Sequence, residues 1–485
     1  MLLIHCKVKG FKSKMIKLAL TSYYKDNQYY NTKYSLASLR LASYILHVKD
    51  VETKILPIDL GEDSQEIANN IISLNLDIVG FSLYMWTYKK SREIANLIYD
   101  MNKDLVIVVG GPEACTLDES EWPDTTFFIL GEGEKSLRWI VEQKVKNPSF
   151  STFNADIPVK SIFTKATGRI NSCLVFEDVL PVGLPIYSKE FLTSVMDMNN
   201  FENEFTWYDT LVGCPYKCGY CGHRTRPSQT LRADELIESE IKNIGKLNFK
   251  EVFIIDPILG GKKERDKKIL NWFKLYAPNT KINVYYRPEY LDYETIALLG
   301  DSNIKEVLIG LQSTNPDVPF WLRSNDLGKV KKYLPELSKR NIFNRIELII
   351  GMPGDSYKGL RESLRFVIDE IQPLSIWAYH LTVIPGTELY TILNSLDNKH
   401  WVKINKDSQA IEANSYTEEE LHRMLVYAGA VTSLYNYAKQ TENHITMEFI
   451  EHIVFKEINN GSTELLQIFQ SGDMVRGKEH WKCIL

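Results

Sequence analysis

The sequence predicts an α/β protein. It reads as an N-terminal doubly wound parallel sheet of Rossmann type, a second region of strand–helix alternation, and a mostly helical C-terminal region. Three observations predict this. Near-continuous apolar runs such as Asp77–Tyr84 (DIVGFSLY) and Leu105–Val109 (LVIVV) are those of strands buried on both faces of a parallel sheet. Six further strand candidates recur with helical segments between them from Phe205 to Leu381. From Lys399 onward helical spacing dominates and no strand alternation is evident.

The elements follow in order. Lys17–Ser22 is a short apolar run, Tyr34–Leu46 has helical spacing and Val51–Ile58 reads as a strand. After DIVGFSLY, the residues Ile94, Leu97, Ile98 and Met101 form a 3.6-period stripe. Leu105–Val109 is closed by Gly110–Gly111–Pro112, and Thr126–Leu130 by Gly131–Glu132–Gly133–Glu134. Five strands with helices between them imply an open, doubly wound sheet over residues 1–150. Periodicity weakens over 151–203, where Pro158, Pro181 and Pro185 interrupt it, so this stretch reads as an inter-domain connection.

In residues 204–398 the strand candidates are Phe205–Val212, Glu251–Asp256, Ile282–Tyr286, Glu306–Gly310, Ile346–Ile350 and Trp377–Leu381. Helical segments are Ala233–Ile244, Lys267–Tyr276, Tyr293–Leu299, Val330–Arg340 and Tyr357–Ile371. This pattern suits a barrel, full or partial, or a second open sheet, and periodicity alone does not choose. Residues 399–485 hold helical stretches such as Glu418–Ala438 and Thr446–Glu457, and form a candidate substrate or capping region.

Composition narrows the class. The 485 residues are 44% apolar and 25% charged, the balance of a folded globular chain rather than a disordered or collagen-like one. The net charge of −5 gives no electrostatic reason for nucleic acid or an anionic membrane as a partner. No apolar run approaches the ~20 residues of a membrane helix. The stretch Met1–Lys14 is too short in apolar residues for a signal-peptide core, so a cytoplasmic location is expected.

Seven cysteines, an odd number at low density, argue against a disulfide scaffold. Cys6, Cys115, Cys173 and Cys483 are scattered. Cys214, Cys218 and Cys221 form C-x3-C-x2-C within Leu211–Pro227 (LVGCPYKCGYCGHRTRP), directly after the first strand of the second region. A loop at the C-terminal end of a strand is where barrel folds place their chemistry. A structural zinc site is the plain alternative, with His223 as fourth ligand, but zinc usually pairs two short clusters and no second one exists. Three cysteines fit a [4Fe–4S] cluster with one iron left open for another ligand.

C-x3-C-x2-C with an aromatic residue, Tyr220, before the last cysteine resembles the signature of radical S-adenosylmethionine enzymes. The resemblance implies a partial (β/α)6, TIM-like barrel. It implies a cluster whose open iron chelates S-adenosylmethionine and, when reduced, cleaves it to a 5′-deoxyadenosyl radical. Later motifs agree. Gly310–Leu311–Gln312–Ser313 is similar to the family's Gly-x-Glu/Gln-Ser, which places Gln312 on the methionine or ribose portion of the cofactor. Arg323 stands where relatives pair an arginine with the cofactor carboxylate. Glu347 stands where an acid meets the ribose hydroxyls. Ile349–Gly354 (IIGMPG), with Met352, resembles the segment whose backbone meets the adenine. Arg287 ends the third strand, and Val383–Thr387 (VIPGT) follows the sixth. The family's second-strand Gly-Gly-Glu stands here only as Ile254–Gly260 (IIDPILG), which leaves Asp256 as the candidate for the amino-group contact.

The N-terminal sheet resembles the cobalamin-binding domains that precede the radical barrel in one large subclass. The candidate cobalamin residues are Ser82, Tyr84, Trp86, Gly110, Gly111, Pro112, Gly131, Glu132 and Gly133. The cobalt-ligating Asp-x-His-x-x-Gly of other cobalamin proteins is absent, with no histidine between His5 and His47. Cys6 and Cys115 do not supply the second three-cysteine set of methylthiotransferases. The resemblance therefore implies one [4Fe–4S] cluster, S-adenosylmethionine and cobalamin, and a methyltransferase acting on an unactivated carbon of a small molecule or natural product. A cyclisation, rearrangement or epimerisation without methyl transfer is the second reading, and a non-enzymatic zinc- or cluster-bearing binding protein the third. A monomer served by an external electron donor such as flavodoxin or ferredoxin is expected.

Overall fold

The computed structural model describes residues 14–25, 32–169, 186–198, 200–202, 204–225, 229–393, 400–440, 445–461, 463–471 and 474–484. Cys6, Cys173, His5 and most of the N-terminal stretch read above lie outside these residues, as does the side chain of Cys483. The chain divides into two units, Met1–Asn200 and Phe201–Leu485.

The first unit runs β1 (Ile16–Tyr24), α1 (Leu36–Ile45), β2 (Val51–Asp59), α2 (Ser64–Ser73), β3 (Ile78–Ser82), α3 (Tyr88–Met101), β4 (Val106–Gly110), β5 (Thr126–Ile129), α4 (Glu134–Lys146), β6 (Ile162–Phe163) and α5 (Lys189–Val195). Strand order is β2-β1-β3-β4-β5-β6; β1 to β5 are parallel and β6 is antiparallel to β5. The predicted five-stranded open sheet is present, and its order reverses between β1 and β3, where such sheets open a ligand crevice at the strand C-termini. Two short 3-10 turns, Pro112–Cys115 and Glu119–Glu121, stand between β4 and β5 in place of a crossover helix. Helices begin on side-chain caps: the Asp63 carboxylate accepts from the N–H groups of Gln65 and Glu66.

The 151–203 stretch, too long for an ordinary loop, carries small elements of its own. Ile162 and Phe163 extend the first sheet, and Phe163 stacks on Phe128 at 4.9 Å between centroids. Arg169 donates to the carbonyls of Cys115 and Leu117, tying this stretch to the loop after β4. Two residues of strand are too few to show as periodicity.

The second unit runs β7 (Phe205–Tyr208), β8 (Leu211–Val212), β9 (Thr230–Leu231), α6 (Asp234–Leu247), β10 (Glu251–Leu259), α7 (Lys263–Tyr276), β11 (Lys281–Tyr286), α8 (Tyr293–Gly300), β12 (Ile304–Gln312), α9 (Leu327–Lys339), β13 (Asn344–Ile350), α10 (Tyr357–Arg365), β14 (Ser375–His380), α11 (Glu388–Thr391), β15 (Val402–Ile404), β16 (Ala410–Ala413), α12 (Glu418–Gln440), α13 (Met447–Asn460), α14 (Thr463–Ser471) and α15 (Met474–Ile484). Its main sheet has order β14-β13-β12-β11-β10-β7, and each neighbouring pair is parallel. Strands in sequence order with helical crossovers give the partial six-stranded barrel. Helix stripes bury against it; Ile237, Ile241 and Ile244 of α6 are fully buried.

The C-terminal region is mostly helical, as expected, and adds one short strand element. β15 and β16 form an antiparallel hairpin. Three- and four-residue strands with a register shift carry no alternation long enough to read. The central helix α12 is buried along most of its length and closes the exposed edge of β14: the Asn436 amide accepts from Ile376 N–H and donates to Ile376 C=O, both at 2.8 Å.

Candidate active site

The cysteine loop begins where β7 stops. The sequence suggested one strand over Phe205–Val212, but the chain bends after Tyr208, and Leu211–Val212 pairs instead with Thr230–Leu231. Asp256 makes the bend. Its carboxylate accepts from the N–H groups of Thr210 (2.6 Å) and Leu211 (3.1 Å) and from the Thr210 hydroxyl. Arg265 donates to the Thr210 carbonyl and hydroxyl at 2.7 and 3.0 Å. Asp256 is fully buried, and burial pushes its carboxyl up to about 7 despite these donors. Asp256, the candidate for the cofactor's amino group, here accepts three hydrogen bonds from the strand end that launches the cysteine loop.

The loop folds back on the segment after β12. Gly219 N–H donates to the Trp321 carbonyl at 2.9 Å, and its own carbonyl accepts from Leu389 N–H at 2.9 Å. A Cβ on Gly219 would sit 2.3 Å from the Trp321 ring, so only glycine fits. Tyr220 joins an apolar cluster with Trp321, Met352, Leu381 and Val383, which brings it beside the loop after β13. Burial pushes the Cys214 and Cys221 thiols up. Among the described residues no three Cys, His, Asp or Glu side chains converge as a single metal ion requires.

Two guanidiniums converge on one sulfur. Arg323 Nη1 lies 3.7 Å from Cys218 Sγ and Arg287 Nη1 4.0 Å from the same atom. They are held differently. Arg287 is paired with Glu289 (2.9 and 3.2 Å), donates to the Ser324 carbonyl and lies 3.7 Å over the Tyr216 ring. Arg323 is held by neutral oxygens, the Gly310 carbonyl and the Asn325 amide. Among the described residues Arg323 has no carboxylate at ion-pair distance, Glu289 acting on it only through space, and it suits an incoming carboxylate.

Gly310 and Gln312 explain one another. The β12–β13 register shifts between them, and Gln312 takes φ +69°, a left-handed conformation rare outside glycine. A Cβ on Gly310 would sit 2.3 Å from Gln312 Nε2, so the glycine leaves room for the amide to fold over it. Gln312 Oε1 is buried and accepts no hydrogen bond among the described residues. A buried acceptor without a donor is costly, and a ligand hydroxyl would satisfy it. The Ser313 hydroxyl accepts from Asn315 N–H, forming the turn that follows. Glu347 pairs in register with Gly310, lies 3.5 Å from Arg345 and accepts from the Tyr379 hydroxyl at 3.4 Å. Burial pushes its carboxyl up. The donor set fits the implied groups: three thiols at a strand mouth, a guanidinium held by neutral oxygens beside one of them and an orphaned acceptor next to it.

In the first unit, Ser82, Gly110 and Gly131 end or follow three adjacent parallel strands. Gly111 has φ +108°, and a Cβ there would lie 2.6 Å from the Leu83 carbonyl, so the loop after β4 closes on the end of β3 only with glycine. Pro112 starts the 3-10 turn, and Gly131, at φ +84°, leads through Glu132 to Gly133, which caps α4. Trp86 is 67% exposed and stacks on Tyr84 at 5.0 Å. An exposed indole beside a glycine-lined strand edge fits a flat, wide ligand. His47 lies in the turn between α1 and β2, which parallel topology puts at the opposite edge.

The radical SAM superfamily matches residues 208–367, and the B12 binding domain matches residues 17–141. The chain carries both domains. The radical SAM domain implies a [4Fe–4S] cluster and S-adenosylmethionine, and the B12-binding domain implies cobalamin. The chain is 22% identical over 351 residues to the cobalamin-dependent radical SAM methyltransferase TokK of Streptomyces tokunonensis, covering 69% of this chain and 51% of TokK. It thus spans about half the length of that curated relative. Two solved structures share the fold. One is TsrM of Kitasatospora setae, a radical S-adenosylmethionine methyltransferase solved with cobalamin and a [4Fe–4S] cluster bound (TM-score 0.61, 12% identity, 97% of this chain and 100% of that one). The other is the cobalamin-dependent S-adenosylmethionine radical enzyme OxsB (TM-score 0.65, 15% identity, 94% and 71%). Among the described residues no helix is long and apolar enough to cross a membrane.

Sequence reasoning missed four residues around the radical SAM site. Glu289 neutralises Arg287, Tyr216 lies beneath it, Thr210 anchors the loop and Trp321 seats Gly219. Glu289, two residues after Arg287, was the one with a local signal.

Proposed function

We propose that this protein is a cobalamin-dependent radical S-adenosylmethionine methyltransferase that methylates an unactivated carbon of a small-molecule substrate. The observation that carries the reading is the arrangement around Cys218: Arg323, hydrogen-bonded only to neutral oxygens among the described residues, on its sulfur, with the orphaned Gln312 acceptor beside Gly310, at the mouth of a six-stranded barrel.

When bound, the cluster and S-adenosylmethionine supply a 5′-deoxyadenosyl radical, and cobalamin supplies a transferable methyl group. The chain's residues bind and orient. Cys214, Cys218 and Cys221 hold three irons as thiolates, and their deprotonation accompanies cluster assembly. Arg323 takes the cofactor carboxylate, while Arg287, already neutralised by Glu289, offsets the thiolate charge at Cys218. Gln312 and Glu347, on neighbouring strands, accept from the ribose hydroxyls, and the backbone of the Gly351–Gly354 loop meets the adenine. Tyr220 and Met352 pack that loop against the cysteine loop and keep water out. In the first unit, Trp86 and Tyr84 offer an aromatic face to the corrin, and Ser82, the Gly110–Pro112 turn and Gly131–Gly133 receive its edge and nucleotide tail. An external flavodoxin or ferredoxin provides the electron.

The test is anaerobic reconstitution with iron, sulfide and cobalamin, followed by product analysis with candidate substrates. Methyl transfer predicts 5′-deoxyadenosine and S-adenosylhomocysteine together. 5′-Deoxyadenosine alone would replace methyl transfer with a rearrangement, cyclisation or epimerisation.

A further inference from the structure

The C-terminal hairpin grips the loop after β13. β16 runs along the segment that leaves β14: Ala410 N–H donates to the Leu381 carbonyl at 3.0 Å, Val383 N–H to the Ser408 carbonyl at 2.8 Å, and His380 Nε2 lies 2.7 Å from the Ala410 carbonyl. The chain then turns tightly between Ala413 and Tyr416. The turn delivers two side chains to one loop. Ser415 Oγ accepts from Gly354 N–H at 2.9 Å, and the buried Tyr416 hydroxyl donates to the Gly351 carbonyl. Burial pushes the Tyr416 phenol up, so it stays a donor at any working pH.

The gripped loop is packed on its other side as well. Gly351 and Gly354 hold φ +90° and +89°. A Cβ on Gly354 would lie 2.2 Å from the Asp317 carbonyl, and Asn315 Nδ2 donates to Asp355 Oδ1 at 3.1 Å. The loop is thus fixed between the segment after β12 and the C-terminal turn. The radical SAM match stops at residue 367, so it does not account for the turn.

We propose that residues 400–417 are a strap that fixes the Gly351–Gly354 loop from outside the matched domain, and that Tyr416 and Ser415 are the positioning residues through which this strap sets the affinity for the adenosyl portion of the cofactor. The proposal rests on the reading that this loop meets the adenine. A loop that must order before binding lowers the apparent affinity in proportion to the fraction of time it is ordered. Each side chain contributes one hydrogen bond, buried for Tyr416 and half-buried for Ser415, which corresponds to about three- to tenfold in binding.

The test uses Tyr416→Phe and Ser415→Ala in the reconstituted holoprotein. Binding of S-adenosylhomocysteine and of 5′-deoxyadenosine is measured by equilibrium dialysis. Hydrogen exchange of the peptide spanning residues 351–355, iron content and Tm are measured alongside. The strap predicts faster exchange in that peptide, both nucleosides weakened about three- to tenfold, and iron content unchanged. Unchanged exchange in both variants overturns the strap. Faster exchange with unchanged nucleoside affinity overturns the affinity claim and, with it, the assignment of the loop to adenine. Iron loss parallel to the affinity loss would mark a general structural effect and overturn the positioning role.

Discussion

The Asp256 carboxylate and the backbone of Thr210 form a buried clamp: one oxygen accepts the Thr210 amide at 2.6 Å and the other its hydroxyl. The clamp lies two residues past the end of the first barrel strand, three residues before Gly213, and points the chain into the cysteine loop. The second barrel strand thereby supports the start of the cysteine loop.

The clamp has a pH signature. Asp256 titrates at about 7 in the fold, because of burial, and near ~3.9 when unfolded. The native state holds the proton more tightly, so this residue's stabilisation is complete below about pH 4 and is lost as pH rises through about 7. Asp209 adds to the upward shift, and Arg265 holds Thr210 from the other side. Asp256→Asn keeps the shape of the clamp and should flatten the fall in Tm between about pH 4 and 7, with iron loading kept. Asp256→Ala should lower both Tm and iron loading. Thermal scans across pH and iron assays check this.

The two arginines should separate by assay. Arg323→Gln is expected to weaken S-adenosylmethionine binding by tenfold or more, the weight of a charge-assisted pair, at about 1.5–3 kcal/mol, while iron content holds. Arg287→Lys keeps the charge but loses the fork that spans Glu289, Ser324 and the Tyr216 face. It should reduce iron retention under chelator challenge first. Dialysis with labelled cofactor and timed iron release distinguish the two.

Gly219 and Trp321 form a steric pair. Gly219→Ala places its Cβ 2.3 Å from the indole and should cost about 1–3 kcal/mol. Trp321→Leu in the same chain should recover a large part of that loss, a coupling read from a double-mutant cycle in denaturant. Independent losses would remove the pair from the account.

Much of this was legible because it is local. Buried parallel strands appear as apolar runs, and the cysteine triplet sits in one loop, so both units and the cluster site follow from short windows of sequence. The role of Asp256 was not legible, because its partner Thr210 is 46 residues away and spacing does not reveal what faces a strand residue. The left-handed backbone at Gln312 was hidden too, although Gly310 two residues earlier is its local trace. The hairpin at Val402–Ala413 is too short for periodicity, and its purpose shows only where Tyr416 meets Gly351.

Trp86 gives the matching prediction for the first unit. Its ring is exposed, so Trp86→Ala should change stability by less than about 0.5 kcal/mol. Cobalamin retention through gel filtration, followed by its visible spectrum, should fall several-fold. Full retention would take the indole out of the corrin site.

The most direct measurement is Cys218→Ala, assayed anaerobically for bound iron and for 5′-deoxyadenosine after reduction in the presence of S-adenosylmethionine. The account predicts that iron falls sharply and nucleoside release disappears while Tm shows a folded chain. Wild-type iron content and undiminished nucleoside release from the same variant would contradict it.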